Sequence, residues 1–399
     1  MTISKKEAKY FLLLLPFFEP QCVFHYPLLS KLYSIAFYGI LFYFAVYWFM
    51  KMRRNEKPNA ISLALLGLEL TVFASTYYHH GDLREAWAYF KNIALLAFVI
   101  EYLAKDIGLL IKTIFRHSEI CIYINFLSIL AFPNGMISKF NEAYGATKEW
   151  FLGSNHFFYY WLIVGLCIAF IYKEIGGNKT RCNALILCAL ITQFIQGSKT
   201  GLVGVCVLFL LVHLPLRKQL LKPRLLIIAY IICSVLIVII NDTEFLEPLV
   251  VGVLNKDLTF NGRILIWNNA VNYIIHNPVL GGGLLDAVST AKILGLSPAG
   301  TIWIGATHCH NQILQIAFIG GFLALSLFII SYFLTFRKLF SKIDNKVAYI
   351  LFCSLFCILL MGTTEVLEKS EIYMVLLISW YVESIIQIQT QNERRYNED

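Results

Sequence analysis

QILQIAFIGGFLALSLFIISYFLT, residues 312–335, runs without an acid or a base and is followed at once by Phe336-Arg337-Lys338. A bilayer core is about 30 Å thick and needs roughly 20 mostly apolar residues in a helix to cross it. This stretch is long enough, and the cations after it mark one membrane face. The same length rule, applied outward along the chain, gives about twelve candidate spans. They lie near 10–28, 33–50, 60–78, 90–106, 119–134, 156–172, 183–197, 201–215, 225–241, 312–335, 347–363 and 372–389. Pro16, Glu19 and Pro20 interrupt the first, which predicts a broken helix. The seventh and eighth are short and separated by Ser198, Lys199 and Thr200, so they are either two spans with a tight turn or a re-entrant pair.

Composition agrees. The 399 residues are 58% hydrophobic and 15% charged, with a mean hydropathy of +0.66. Soluble domains are roughly 45–50% apolar and about 25% charged, so an ordinary cytosolic enzyme and a disordered chain are both excluded. Seven of the ten cysteines (Cys121, Cys167, Cys188, Cys206, Cys233, Cys353 and Cys357) lie in apolar runs. With no CxxC pair, they read as small buried hydrophobes. The first apolar run lacks a small-residue cleavage site, so a cleavable signal peptide is not expected.

The net charge of +8 reads as cationic loops that hold a membrane topology, with no nucleic-acid partner. The basic groups are Lys5/Lys6/Lys9, Lys51/Arg53/Arg54/Lys57, Lys105/Lys112/Arg116, Lys173/Lys179/Arg181, Arg217/Lys218/Lys222/Arg224, Arg337/Lys338/Lys342/Lys346 and Arg394/Arg395. They hold 23 of the 33 basic residues, and all fall on one side if there are twelve spans. Both termini are then cytoplasmic. The opposite face holds segments near 79–90 (with Arg84) and 135–155, the Ser198–Gly201 turn, and a long loop over 242–311. The expected fold is an all-α polytopic integral membrane helix bundle of about twelve transmembrane helices. It forms a single membrane domain over 1–399 with one long extracytoplasmic loop, 242–311, inserted between spans.

Within that loop, residues 261–277 read as a helix with Ile264, Trp267, Val271, Ile274 and Ile275 on one face. Asn261 is the expected N-cap, and Phe260 with Leu265 the hydrophobic staple. Pro278 and Gly281-Gly282-Gly283 end the helix. Arg263 falls in its first turn, where a cation opposes the helix dipole by about 0.3–1 kcal/mol. An anion shared by Arg263 and the helix N-terminus would remove that conflict; an exposed or headgroup-facing arginine is the plainer alternative. Thr307-His308-Cys309-His310-Asn311 closes the loop at the mouth of the next span. Histidines there suit proton transfer at the water interface, or simply hydrogen bonds to headgroups. The His-x-His spacing lacks a nearby third ligand other than Cys309, so no metal is expected. Lys199, in Gln196-Gly197-Ser198-Lys199-Thr200-Gly201, is costly between spans unless exposed or paired with an anion. Glu69 and Glu101 sit within apolar runs and read as paired structural carboxylates ahead of proton-coupling groups.

Three ordered patches resemble the O-antigen ligase / O-antigen and capsular polysaccharide polymerase (Wzy-type) superfamily of bacterial membrane enzymes. The first is Ser198-Lys199-Thr200-Gly201, where the family usually has Ser-Arg-x-Gly. The second is Asn261-Gly262-Arg263 with Ile266-Trp267, His276-Asn277-Pro278 and Gly281/Gly283. The third is His308-Cys309-His310-Asn311 with Leu314 and Gly320-Gly321. Phe17-Phe18-Glu19-Pro20 followed by Leu32-Tyr33 is similar to polymerases of capsule and exopolysaccharide synthesis. Lys199 departs from the family's arginine: it keeps the charge and loses the bidentate fork.

The resemblance implies glycan transfer from a polyprenyl-diphosphate-linked oligosaccharide to an acceptor hydroxyl, on the outer face of the bacterial cytoplasmic (inner) membrane. In a polymerase the acceptor is a second lipid-linked repeat unit; in a ligase it is lipid A–core. Negative charge grows on the departing diphosphate, and fixed cations stabilise it; Arg263 and Lys199 are the candidates. His310 is the candidate base and the third catalytic residue. Asn311, His308, Ser198 and Arg84 are candidate substrate-binding residues. The enzyme expected is a metal-independent glycosyltransferase with no cofactor. Its partners are the lipid-linked donor and acceptor and membrane lipids, and a chain-length regulator stays open as a protein partner. Polymerase is the leading reading and ligase the second. A polysaccharide transporter or flippase is the third, from another class, and it lacks the internal repeat such folds tend to show.

Overall fold

The computed structural model describes residues 4–54, 57–141, 145–213, 222–240, 262–367 and 370–398. Residues 242–261 of the expected loop, with Asn261 and Phe260, lie outside them. The described chain is helical almost throughout. On length and composition, four helices can each cross a bilayer: Pro27–Arg53, Ala60–Tyr78, Phe157–Glu174 and Gln312–Phe340. A fifth span is available if Ile372–Ser379 and Val382–Arg395, bent by 71°, count as one. That is fewer than the expected twelve. The helices Lys199–His213, Pro223–Val235 and Lys346–Met361 are apolar but short. Leu83–Leu103 and Ile107–Ala131 are long helices outside those four.

Local chemistry explains the boundaries. Asn59, Asp82, Asp106, Asn178 and Asn345 each accept a backbone N–H of the first turn that follows them, which satisfies donors that a helix start leaves orphaned. The first expected span is broken where its prolines fall. Lys5–Leu14 is α-helical, and short 3-10 turns follow at Leu15–Phe18 and Gln21–His25. Lys179–Gln196 and Lys199–His213 are separate helices joined through Gly197 and Ser198.

The departure from an all-helical chain is a small antiparallel sheet, β1 (Ile137–Asn141), β2 (Gly145–Trp150) and β3 (Gly153–Ser154), in the order β1-β2-β3. Trp150, the last residue of β2, is buried and donates to the Phe132 carbonyl at 2.8 Å. Glu101 pairs with Lys51 and accepts from Asn59 at 3.2 Å, as expected of a structural carboxylate. Glu69 has no such partner among the described residues.

Segments expected on the basic face touch one another. Lys6 meets Asp106 at 2.5 Å, Lys112 meets Glu7 at 3.3 Å and Lys346 meets Glu174 at 2.6 Å. Segments expected on the other face do the same. His25 meets Glu149 at 2.9 Å, the Asp82 N–H donates to Leu284 at 2.7 Å, and Gln196 donates to Pro133 at 3.3 Å.

The long helix Gln312–Phe340 is interrupted at Gly321, whose backbone (φ 62, ψ −167) is outside the helical range. The break frees carbonyls and N–H groups that lipid cannot satisfy. The segment 278–283 satisfies them. Gly282 and Gly283 donate to Phe318 and Ile319 at 2.8 and 3.0 Å, and Phe322 donates back to Pro278 at 2.7 Å. The neighbouring helix Ala60–Tyr78 holds the same segment through Ser75 to the Leu280 carbonyl (2.6 Å) and through Thr76 from the Leu284 N–H (3.0 Å). A Cβ at position 321 would collide with the Val279 carbonyl. Gly321→Ala is therefore expected to cost at least about 1–3 kcal/mol from the strained backbone, seen as a lower unfolding midpoint of the detergent-solubilised protein. An unchanged midpoint would show that the break is not held as described.

Candidate active site

The helix expected in the extracytoplasmic loop spans Arg263–His276, inside the expected 261–277. Gly262, with φ +80, precedes it. Its buried residues are Ile266, Trp267, Ala270 and Ile274. Ile275 is exposed, so the inward face is rotated from the expected one. Trp267 is fully buried, and its indole donates to the Cys309 carbonyl at 3.0 Å. That bond ties the first turn of this helix to the histidine segment.

Three distant pieces of chain meet there. Arg263 donates to the Thr364 carbonyl and, at 2.8 Å, to Glu365 Oε1. His310 Nδ1 faces Glu365 Oε2 at 3.6 Å, an ion-pair distance that is long for a hydrogen bond. Thr200 reaches Glu365 Oε1 at 3.5 Å and the Thr364 hydroxyl at 3.4 Å. The His308 and His310 rings lie 3.9 Å apart, and Thr307 pairs with His308 Nδ1 at 3.2 Å. The side chains of Arg263, His310 and Glu365 are 19%, 11% and 15% exposed, so the group is nearly closed to solvent.

Burial alone would raise the Glu365 carboxyl. The facing His310 and the Arg263 guanidinium outweigh it and hold the group at about 2. His308 is pushed down to about 3, first by burial and then by the charge of His310, so its ring stays neutral at working pH. His310 itself has a left-handed backbone (φ 48), a conformation that costs most residues about 1–3 kcal/mol. The Asn311 side chain holds that turn at both ends, accepting from Leu314 N–H and donating to the Thr363 carbonyl, each at 2.9 Å.

The structure thus brings together Arg263, His308 and His310 of the expected residues. Asn311 serves as a helix cap and a tie to the Thr363 turn. Ser198 is buried and caps its helix, accepting from Gly201 N–H at 3.2 Å. Lys199 is exposed at the first residue of that helix, and Thr200 is the member of the motif that reaches the cluster. Arg84 is exposed in the first turn of Leu83–Leu103.

Glu365 was missing from the sequence reading. Its one signal is an acid directly after the apolar run 347–363. It also changes the metal argument, because the absence of a third ligand beside His308 and His310 does not hold in space. The ligand atoms of His308, His310 and Glu365 lie within 4.8 Å of one another. Cys309 is the wrong candidate: it is fully buried, and burial pushes its thiol up.

Residues 184–329 match a family model described as O-antigen ligase. The match runs from the helix before Lys199 past the break at Gly321, and it supports the O-antigen ligase/polymerase superfamily for this chain. Members of that family are glycosyltransferase-like enzymes acting on lipid-linked glycans in membranes. The comparison with curated proteins finds no match.

Glu365→Gln would leave the Arg263 cation half of a broken buried pair, which costs about 3–5 kcal/mol. Because the folded-state carboxyl lies below its ordinary value of 4.5, its contribution is full above that value and is lost as pH falls toward about 2. Unfolding midpoints of wild type and Glu365→Gln should differ at pH 7 and converge over that acid window. A constant gap would rule out the carboxylate charge as the cause.

Proposed function

We propose that the protein is a polysaccharide polymerase. It joins polyprenyl-diphosphate-linked repeat units of a capsule, exopolysaccharide or O-antigen on the outer face of the bacterial inner membrane. The observation that carries this reading is the meeting of Arg263, His310 and Glu365 beside Thr200, with three of the four inside the matched stretch. The same reading keeps about twelve spans in one membrane domain, with cytoplasmic termini and the 242–311 loop outside. The pairing of basic-face segments with one another supports that topology.

In the reaction, the bond between the donor's anomeric carbon and the diphosphate oxygen breaks as the acceptor hydroxyl attacks that carbon. Glu365 faces His310 Nδ1 and so favours the tautomer with the proton there, leaving Nε2 to take the acceptor's proton. Arg263 has five N–H donors; Thr364 and Glu365 engage two of its nitrogens, and the remaining donors and the charge serve the departing diphosphate. Lys199, exposed nearby in sequence, is assigned to the same anion as a point charge. His308 and Arg84 are assigned to the bound glycan or its phosphate. Ser198 and Asn311 act by holding the backbone on which Thr200 and His310 stand.

Arg263→Ala and His310→Ala should each abolish chain elongation while the protein still accumulates in the membrane. Each loses about 100-fold or more, the scale of a lost charge-stabilising or proton-transfer group. Long polymer in either variant would sink the assignment. The family description favours ligase as the second reading. Long chains that persist on the lipid carrier in a deletion strain but fail to reach lipid A–core would select it. Turnover of purified protein should survive EDTA. Loss of turnover with EDTA and its return with zinc would instead make His308, His310 and Glu365 a metal site.

A further inference from the structure

A chamber of about 460 Å³ lies between the broken N-terminal segment, the outer halves of Pro27–Arg53 and Leu83–Leu103, and the start of Gln312–Phe340. The polar side chains lining it include Glu19, Tyr33, Glu69, Asn92, Gln312 and Gln315. Its volume is in the range of small-molecule sites, about 300–1,000 Å³. We propose that this chamber binds the terminal sugars of the acceptor glycan, apart from the site of the donor's diphosphate. This rests on the glycosyl-transfer reading above.

Four observations carry it. First, Glu69 is 6% exposed and lines the chamber without a hydrogen-bond or ion-pair partner among the described residues. In either protonation state a buried carboxyl needs a partner, and an acyl tail offers none, whereas a sugar hydroxyl or amino group does. Second, the chamber is lined by two carboxyls, Glu19 and Glu69, and among the described residues by no arginine, so it lacks the guanidinium that a diphosphate meets at Arg263. Third, Tyr33, Phe37 and Tyr38 give it aromatic faces for the apolar side of a sugar ring. Lys91 at the wall is held by the Tyr38 hydroxyl at 3.2 Å and lies over the Phe37 and Tyr38 rings.

Fourth, the chamber adjoins the reacting groups. Gln315 accepts the Cys309 N–H at 2.9 Å, between the two histidines, and Gln312 accepts the Leu367 N–H at 2.5 Å, two residues from Glu365. Each amide spends its oxygen on the backbone of the catalytic segments. Among the described residues neither NH2 group has a hydrogen-bond partner, so each is open to a ligand. A sugar seated here lies against Gln312, Gln315 and Val366, the neighbours in sequence of His310 and Glu365.

The test uses purified full-length protein in detergent and two probes. One is the free repeat-unit oligosaccharide, released from its lipid by mild acid and therefore without diphosphate. The other is sugar-free polyprenyl diphosphate. Glu69→Gln and Ser34→Trp, the latter placing a large side chain at the chamber wall, should weaken oligosaccharide binding by about tenfold or more and leave the diphosphate within about twofold. Arg263→Ala should show the reverse pattern. Wild-type oligosaccharide affinity in both chamber variants overturns the proposal, and so does parallel loss of both probes. If oligosaccharide affinity is unmoved while His310→Ala still abolishes polymer, the chamber assignment fails alone. If wild type binds neither probe and His310→Ala makes normal polymer, the functional reading fails with it.

Discussion

The backbone pairing between 278–283 and the broken turn at Gly320-Gly321 is the constraint on which the candidate site depends. A helix interrupted inside a membrane must find partners for its freed peptide groups. Here they are found in the loop that follows the external helix. The loop cannot drift without orphaning the break, and Ser75 and Thr76 hold it from a second side. The Arg263–His276 helix is therefore carried on a fixed base. Its indole at Trp267 then grips the Cys309 carbonyl, so Arg263 and His310 keep their separation although they come from different ends of the loop.

Glu365 turns that proximity into an electrostatic unit. The cation at the start of the external helix is unfavourable for the dipole, and the expected remedy was an anionic ligand. The protein supplies an internal anion instead. One carboxylate oxygen meets Arg263 and the other faces His310. The same group thus anchors the Arg263 guanidinium and faces the His310 ring. This economy explains why Glu365 tolerates burial: two cationic or polarisable partners outweigh its desolvation.

Much of this was legible in residue order. Helical runs, the break at Pro16–Pro20, the external helix and the Arg263 and His310 segments follow from periodicity, proline and small-residue signals, because these act within a few residues. What was not legible is set by packing across the bundle. Glu365 meets Arg263 only because the turn after Lys346–Met361 comes back beneath the external helix. The inward face of that helix was misread at Ile275 because Trp267 and Ala270, and not the isoleucine count, decide which side is covered. Thr200 supplanted Lys199 at the cluster because the first turn of a short helix points adjacent side chains in different directions. Glu69 and Glu101 look alike in sequence. Only the fold gives Lys51 to one and an open chamber to the other.

The helix Pro27–Arg53 has 27 residues, and only Phe44 and Trp48 are buried. At 1.5 Å per residue it is about 40 Å long, against roughly 30 Å of hydrocarbon. Its excess length calls for a tilt, and its contacts with Leu83–Leu103, Trp48 on Phe98, Lys51 with Glu101 and Tyr38 with Lys91, set the direction of that tilt. Because this helix forms one wall of the chamber, the same contacts that fix its lean also fix the spacing between Tyr33 and Phe37 and the facing residues Tyr89 and Asn92.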